Sequence, residues 1–377
     1  MADAFRPHPA ARIFGPDGAE VPAADAAAVI PADRGAAALR AALAHGAGFR
    51  IGLPEAPPPA PQGFETLTSG STGAPRRIRR SVASWTASFA VNAGLFGIGP
   101  GSRVAVLGAL VHSLSLYGAL EGACLGAGVH LLAGLRPDRQ AAALAARGVE
   151  VLYATPAQLR GLTLPMPGLR LVLVGGSKLD AALRARLAGL APGAEVREFY
   201  GAAEASFVTL ADADTPAASV GRSYPGVELD IRGGEVWVRS PYLFEGYASD
   251  PGSARWQDGW LTVGEMGRLE GGFLYLNGRK GRMVTVADQN VFPEEIEALM
   301  ETLPGVERAA VLAVPDAARG YVLHAVAMGD PAAETAVMAV LRAALGPMKA
   351  PRSIRWRTDW PVTASGKTDL AALRGGR

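Results

Sequence analysis

Short apolar runs typical of β-strands alternate with helical patterns through the middle of the chain, and this alternation constrains the fold most. Runs such as "RVAVLGAL", "EVLYAT" and "LRLVLVGG" are interspersed with segments such as "RQAAALAARG" and "LDAALRARLAG", whose alanines and leucines have helical spacing. Strands separated by helices pair in one direction, because each helix returns the chain to the same edge of the sheet. The sequence therefore predicts an α/β fold with a mainly parallel, layered sheet.

Two later regions depart from this alternation. After about residue 218, "GVELDIRGGEVWVRSP" and "GGFLYLNGR" predict hairpin strands with glycine turns, and therefore a β-rich subdomain. Beyond Arg279, a helix, two strands and a second helix predict a small α+β unit. The predicted domains are a preamble with a proline-rich break over 1–63, an N-terminal domain over 64–279 whose β-rich part begins near 218, and a mobile lid over 280–377.

Composition argues against several classes of protein. The 37 basic and 35 acidic residues leave a formal charge of +2, which gives no general attraction for nucleic acid or an anionic membrane. A single cysteine, Cys124, allows no internal disulfide and fits a reducing compartment, and the first residues lack a signal-peptide core, so a cytoplasmic protein is expected. The apolar run over 104–135 is long enough to span a membrane, but a strand, a buried helix and a second strand explain its polar residues better.

The stretch "TLTSGSTGAPRRIRRS" (66–81) has the composition of a phosphate-binding loop. Its glycines let backbone N–H groups approach a phosphate, and its hydroxyl groups supply further hydrogen bonds. It is not the nucleotide-binding loop that ends in Gly-Lys-Ser/Thr, because Ala74 and Pro75 follow Gly73. A solvated Gly/Ser turn remains the alternative for this string by itself.

Four further motifs follow in order: "FYGAAEAS" (199–206), "DGWLTVGEMGRL" (258–269), "NGRKGRMVTVADQNVFPEEIE" (277–297) and "VTASGKTDL" (362–370). With the glycine-rich loop, they resemble the adenylate-forming superfamily, which includes acyl-CoA and aryl-CoA ligases, acyl-AMP ligases and nonribosomal-peptide adenylation domains. The resemblance runs from about residue 64 to the C-terminus. It implies ATP, Mg²⁺, a carboxylic acid substrate, an acyl-adenylate intermediate and CoA as co-substrate.

The resemblance also implies individual binding roles. The loop would hold the β- and γ-phosphates, Tyr200 would lie against adenine, and Glu204 with Thr68 would bind Mg²⁺. Glu265 occupies the position of an aspartate that binds the ribose hydroxyls in the family, and Arg279 matches an arginine that also reaches the ribose. The residues predicted to bind ATP or AMP are Thr68, Ser69, Gly70, Ser71, Thr72, Gly73, Arg76, Gly175, Gly176, Ser177, Tyr200, Gly201, Ala202, Ala203, Glu265 and Arg279.

Three residues are predicted to be catalytic: Lys367, Glu204 and His112. Lys367 in "TASGK" resembles the mobile lysine that bridges the carboxylate and the α-phosphate, and the alternative is an exposed C-terminal lysine. His112 would shape the carboxylate site, and the alternative is a hydrogen-bonded core histidine. Arg76 stands where the family usually has lysine; the arginines after it in the strand are interpreted as a solvated face, with phosphate contact as the alternative.

The sequence departs from the family pattern in several places. Ala203 replaces a common threonine, which removes one hydrogen bond worth roughly 0.5–1.5 kcal/mol. Gly281 stands where the family often has a hinge aspartate or lysine. Only about 65 residues precede the loop, so we expect an acyl pocket that is open or is completed by a partner subunit or a homodimer. Thr285, Ala287 and Asp288 replace the lysine and glycine-containing turn of CoA-using relatives.

Three functions remain open from the sequence. The first is an acid–thiol ligase that passes an acyl- or aryl-adenylate to CoA. The second is an acyl-AMP ligase that loads the phosphopantetheine of an acyl or peptidyl carrier protein. The third is a nucleotide-binding protein without turnover, suggested by Ala203, Glu265 and the short N-terminal region.

Overall fold

The chain divides into two units, each of which includes residues of the β-rich region. The computed structural model describes residues 4–22, 29–30, 35–46, 48–51, 63–67, 76–248, 252, 254–286, 289–316, 319–363 and 367–375. The first unit comprises Met1–Leu229 and Val238–Val263, and the second comprises Asp230–Trp237 and Gly264–Arg377. The domain limits expected from the sequence, with a lid beginning at residue 280, stay a prediction.

The strands and helices of the first unit follow the predicted alternation. In chain order up to the first crossing between the units they are β1 (Arg12–Phe14), β2 (Val29–Ile30), α1 (Gly35–His45), β3 (Phe49–Ile51), β4 (Gly63–Leu67), β5 (Arg77–Ser81), α2 (Val82–Phe96), β6 (Arg103–Val106), α3 (Ser113–Leu125), β7 (Gly128–Leu131), α4 (Pro137–Ala146), β8 (Val151–Ala154), α5 (Pro156–Gly161), β9 (Leu171–Val174), α6 (Ala181–Leu190), β10 (Glu195–Ala202), β11 (Ser206–Leu210) and β12 (Arg222–Ser223).

The main sheet of the first unit has the order β1-β7-β6-β8-β9-β10-β11-β12. Neighbouring strands from β1 to β10 are parallel, and β11 and β12 are antiparallel additions. Successive side chains of a strand point to opposite faces, so Leu152 packs with apolar residues of α4, α5 and α6, while the ring of Tyr153 lies against Gly118 of α3. Helices therefore cover both faces, and the predicted α/β class is confirmed.

A second sheet of the first unit lies next to the glycine-rich loop in sequence. Its order is β15-β5-β4-β3-β2, where β15 is Gly246–Tyr247. β4 and β5 are antiparallel and pair Leu67 with Arg77, so they bring together the two ends of the segment 68–75. That segment lies outside the described residues.

The remaining elements belong to the β-rich region and the second unit. They are β13 (Glu228–Arg232), β14 (Glu235–Arg239), β16 (Arg255–Gln257), β17 (Trp260–Thr262), β18 (Glu265–Glu270), β19 (Phe273–Arg279), β20 (Val284–Val286), β21 (Gln289–Val291), α7 (Pro293–Met300), β22 (Val306–Asp316), β23 (Gly320–Gly329), α8 (Glu334–Lys349), β24 (Ile354–Arg357) and α9 (Leu370–Gly375), with 3₁₀ turns at Lys280–Arg282 and Pro331–Ala333. The predicted hairpin strands form β13, β14 and β19.

The second unit has its own sheet and core. The strands are ordered β21-β20-β23-β22, and β24 pairs with β23. Ile296 of α7 and Leu341 of α8 are buried in one cluster with Val311 and Leu323 of the two long strands. This is the small α+β arrangement that the sequence predicts after Arg279.

The apolar run over 104–135 forms β6, α3 and β7, as predicted. In the part of the chain that the structure describes, no helix has the length and apolar character needed to cross a membrane.

A buried polar cluster joins α2 and α3 inside the first unit. Glu121 is fully buried, and its carboxylate accepts hydrogen bonds from Asn92 Nδ2 at 2.7 Å and from the Tyr153 hydroxyl. The Tyr224 hydroxyl donates to Asn92 Oδ1 at 2.6 Å. Burial raises the pKa of Glu121 to about 7, even though these hydrogen bonds oppose the shift.

Candidate active site

Two predicted nucleotide-binding segments lie side by side in the first unit. Gly175, Gly176 and Ser177 directly follow β9, and Tyr200 lies near the carboxyl end of the neighbouring parallel strand β10. Ligands of open α/β sheets bind at this edge. A Cβ at Gly175 would lie 2.3 Å from Cζ of Phe199, so a larger residue there would require the Phe199 ring to move.

The "YGAAE" motif forms a tight turn between β10 and β11. The strand register shifts between Tyr200 and Gly201, and a Cβ at Gly201 would lie 2.0 Å from the carbonyl oxygen of Ser206. The Ala205 N–H donates to the Ala202 carbonyl at 3.0 Å, and Ser206 has a left-handed φ of 57°. A non-glycine residue in this conformation is strained, so neighbouring groups must hold the turn.

Glu204 lies at the centre of this turn and is held by the segment that contains β15. The Tyr247 hydroxyl donates to Glu204 Oε1 at 2.9 Å, and the Phe244 N–H donates to the Glu204 carbonyl at 2.8 Å. The carboxylate is therefore oriented by its surroundings. The role of Tyr247 was not predicted, because the residue lies outside the five motifs.

The structure corrects the interpretation of the strand arginines as a solvated face. Arg80 is fully buried, and the Arg77 side chain is only 11% exposed. Arg80 donates to the carbonyl of Ala203 at 2.6 Å, to Ser206 Oγ and to the carbonyl of Tyr242. Arg79 is half-exposed, so the prediction was right for that residue alone. Alternation with the buried Ile78 was the signal that places Arg80 on the inner face.

The other strand arginines form an ion cluster at the base of the loop. Glu65 of β4 is 2.6 Å from Arg50 and within 3.5 Å of both Arg77 and Arg79. Burial opposes ionisation of Glu65, but the three guanidinium groups outweigh it and lower the pKa of the carboxyl group. Arg76, at the loop end of this strand, is half-buried.

His112 lies at the same end of the loop as β4. It precedes α3, and its backbone forms an isolated parallel bridge with Leu67, the last residue before the segment 68–75. The backbone of His112 is thus anchored beside the predicted phosphate loop. Thr68, Ser69, Gly70, Ser71, Thr72 and Gly73 all lie outside the described residues.

Glu265 and Arg279 form a pair in the second unit. They are direct register partners at adjoining ends of β18 and β19, and Arg279 Nε donates to Glu265 Oε1 at 2.9 Å. The Glu265 side chain is 11% exposed, whereas 42% of the Arg279 side chain is exposed. The arginine therefore orients a carboxylate that keeps further acceptor capacity for a diol.

Lys367 ends a small loop that is closed at its base. The Thr363 N–H donates to the Lys367 carbonyl at 2.8 Å, and Val362 and Thr368 form a bridge. Trp360 Nε1 donates to Thr368 Oγ1 at 3.1 Å. These contacts fix the backbone on both sides of residues 364–366, which lie outside the described residues, as do Ala287 and Asp288.

The donor set fits Mg²⁺ bound together with a nucleotide. This ion is usually held by one or two carboxylates and by substrate phosphates, not by a cage of protein ligands. Glu204 offers one oriented carboxylate. Among the described residues, no three His, Cys, Asp or Glu side chains are grouped to hold a metal ion by themselves.

Comparison with known proteins agrees with this fold. The AMP-binding enzyme family matches residues 24–248, and the AMP-binding enzyme C-terminal domain matches residues 295–367. The chain belongs to the AMP-binding enzyme family, and thus to the adenylate-forming superfamily.

Individual relatives are similar over most of the chain. An uncharacterized acyl-CoA ligase, YhfT of Bacillus subtilis, is 34% identical over 320 residues, which are 80% of this chain and 66% of the relative. The amide bond synthetase McbA of Marinactinospora thermotolerans is 26% identical with a TM-score of 0.72, over 97% of this chain and 79% of that one. O-succinylbenzoate CoA synthetase (MenE) of Bacillus subtilis, solved with its acyl-adenylate, is 24% identical with a TM-score of 0.72, over 83% and 69%. The chain therefore spans slightly less than two thirds of the length of YhfT.

Proposed function

We propose that the chain uses ATP to convert a carboxylic acid into an acyl- or aryl-adenylate and then transfers the acyl group to the thiol of CoA. The Glu265–Arg279 pair carries this proposal. Two motifs that the resemblance assigns to one ribose supply side chains that touch at 2.9 Å. Acyl-CoA ligases and synthetases among the relatives support the same reaction type.

The chemistry requires two anions to meet. A carboxylate oxygen attacks the α-phosphorus of ATP, the bond to the bridging oxygen breaks, and pyrophosphate leaves. In the second step the CoA sulfur attacks the acyl carbon, AMP leaves, and the thiol proton goes to solvent. Catalysis therefore rests on positioning and on neutralising charge.

The residues of this chain would divide that work. Glu204 would bind Mg²⁺, which when bound neutralises charge on the phosphates. Tyr200 and the Gly175–Ser177 segment would hold the adenine, and Glu265 with Arg279 would hold the ribose. Lys367 would neutralise the carboxylate and the α-phosphate during adenylation, as a mobile point charge.

The cytoplasm remains the expected location.

Acid-dependent exchange of pyrophosphate into ATP tests the first step. Wild-type protein is expected to exchange with at least one member of a panel of aliphatic, aromatic and hydroxybenzoic acids. Lys367→Ala is expected to lower the exchange rate by at least about 100-fold, because the charge that spans the reacting groups is lost. Lys349→Ala, a lysine of the same unit at the end of α8, serves as the control and should keep the wild-type rate.

The same assay separates the alternatives. No exchange with any acid would contradict the proposal and favour a nucleotide-binding protein without turnover. The acceptor is then identified by adding CoA, phosphopantetheinylated carrier proteins or amines to the adenylate. If product forms with carrier protein alone, the acceptor is a carrier protein and not CoA. The amine is included because McbA is an amide bond synthetase.

A further inference from the structure

Arg80 connects two parts of the first unit that are remote in sequence. It lies in β5, five residues after the end of the segment 68–75, and its side chain is fully buried. Its guanidinium group donates to the carbonyl of Ala203 at 2.6 Å and to Ser206 Oγ. A third hydrogen bond goes to the carbonyl of Tyr242. Ala203 and Ser206 lie on either side of Glu204 in the sequence, so two of these hydrogen bonds go to the turn that contains Glu204.

Trp85 completes the same arrangement. Its ring lies under the Arg80 guanidinium at 5.5 Å, and its Nε1 donates to Ser206 Oγ at 3.0 Å. Ser206 Oγ in turn donates to the carbonyl of Tyr242 at 3.2 Å. Ser206, whose φ is 57°, is thus held by hydrogen bonds to Arg80, Trp85 and Tyr242, and these compensate for its strained backbone.

The guanidinium group of Arg80 is charged although it is buried. Burial lowers the pKa of Arg80 to about 9, against the opposing effect of Glu204 and other groups. The guanidinium group therefore remains protonated at neutral pH.

We propose that Arg80 is a positioning residue for Mg²⁺ and ATP, because it fixes the Ala203–Ser206 turn, and with it Glu204, against the strand that leaves the phosphate loop. This inference rests on the proposed function. Arg80 does not touch the substrate; it acts through the backbone and the carboxylate of the turn. Residues that orient a metal ligand typically change metal affinity or activity about 10- to 100-fold when they are removed.

Three variants test this role. Arg80→Gln removes the charge and at least two hydrogen bonds. Ser206→Gly removes the shared hydroxyl acceptor while keeping a residue that adopts positive φ without strain, so it should fold even if Arg80→Gln does not. Arg170→Gln is the control: Arg170 also donates to two backbone carbonyls, those of Phe96 and Gly97, but it is exposed and precedes β9, at the opposite end of the strands.

The measurements are the dissociation constant of ATP by calorimetry, its dependence on Mg²⁺ concentration, and the melting temperature. Arg80→Gln is expected to weaken Mg²⁺-dependent ATP binding about 10-fold or more. Ser206→Gly is expected to weaken it less, about threefold, because Arg80 keeps its hydrogen bonds to the carbonyls of Ala203 and Tyr242. Adenosine binding without Mg²⁺ should change less than ATP binding in both. Arg170→Gln should lower the melting temperature without changing the Mg²⁺ dependence.

Two outcomes would overturn the inference. One is wild-type Mg²⁺ dependence in both Ser206→Gly and any folded Arg80 variant. The other is an equal loss of ATP affinity in Arg170→Gln, which would assign Arg80 a general structural role. Both differ from failure of the proposed function, in which the wild-type protein itself would show no acid-dependent pyrophosphate exchange.

Discussion

At the scale of single residues, Glu121 makes the first unit sensitive to pH. Its pKa is raised by burial from 4.5 to about 7, so the folded protein keeps a proton that the unfolded chain releases near pH 4.5. The free energy of unfolding should therefore fall as the pH rises from about 4.5 to about 7, and its Glu121 contribution should be constant above that range. Glu121→Gln should remove this dependence, so that the variant gains stability relative to wild type between pH 5 and pH 8.

Urea unfolding of both proteins at several pH values measures the effect. Glu20→Gln, at an exposed position of the same unit, is the control and should follow wild type throughout. An unchanged difference between Glu121→Gln and wild type from pH 5 to pH 8 would show that Glu121 does not titrate in this range.

At the scale of elements, the β4–β5 pair depends on Glu65. Its side chain is 2% exposed, and its carboxylate forms ion pairs with Arg50, Arg77 and Arg79 at the base of the glycine-rich loop. Glu65→Gln removes the ion-pair partner of a buried guanidinium group, and the expected cost is about 3–5 kcal/mol of unfolding free energy. Chemical denaturation measures this cost. Glu228→Gln removes an exposed ion pair with Arg239, so it should have little effect; equal effects of the two substitutions would contradict the cluster's role.

At the scale of the whole molecule, each unit has a separate core. Leu152 lies in the core of the first unit and Leu341 in that of the second, and both side chains are fully buried. We therefore expect two transitions in calorimetry. Leu152→Ala should lower the temperature of the transition of the first unit, and Leu341→Ala that of the second. Each substitution should cost its unit about 2–5 kcal/mol of unfolding free energy. A single transition shifted by both substitutions would mean that the units unfold as one.

Much of the fold could be predicted because its signals are local. Short apolar runs predicted β8 and β9, glycine turns predicted the β13–β14 hairpin, and a proline at its start predicted α7. The same holds for part of the candidate site. Glu265 and Arg279 are 14 residues apart on either side of a hairpin, so their contact follows from strand register.

The contacts of Arg80 could not be predicted in this way. Its acceptors on Ala203, Ser206 and Tyr242 lie 123, 126 and 162 residues further along the chain. Alternation with Ile78 indicates that Arg80 faces inward, but it contains no information about which carbonyl groups are there. The run of arginines after Pro75 therefore resembled a surface strand.

The sequence by itself determined the α/β class, the order of the elements and the family motifs, because periodicity, turn residues and motif order are properties of neighbouring residues. Only the tertiary structure decided which arginine supports the turn that contains Glu204, that Tyr247 orients the Glu204 carboxylate, and that Glu65 forms ion pairs with three arginines. These contacts form when remote segments pack together, and burial then makes each charge or polar group depend on the particular partners that packing supplies.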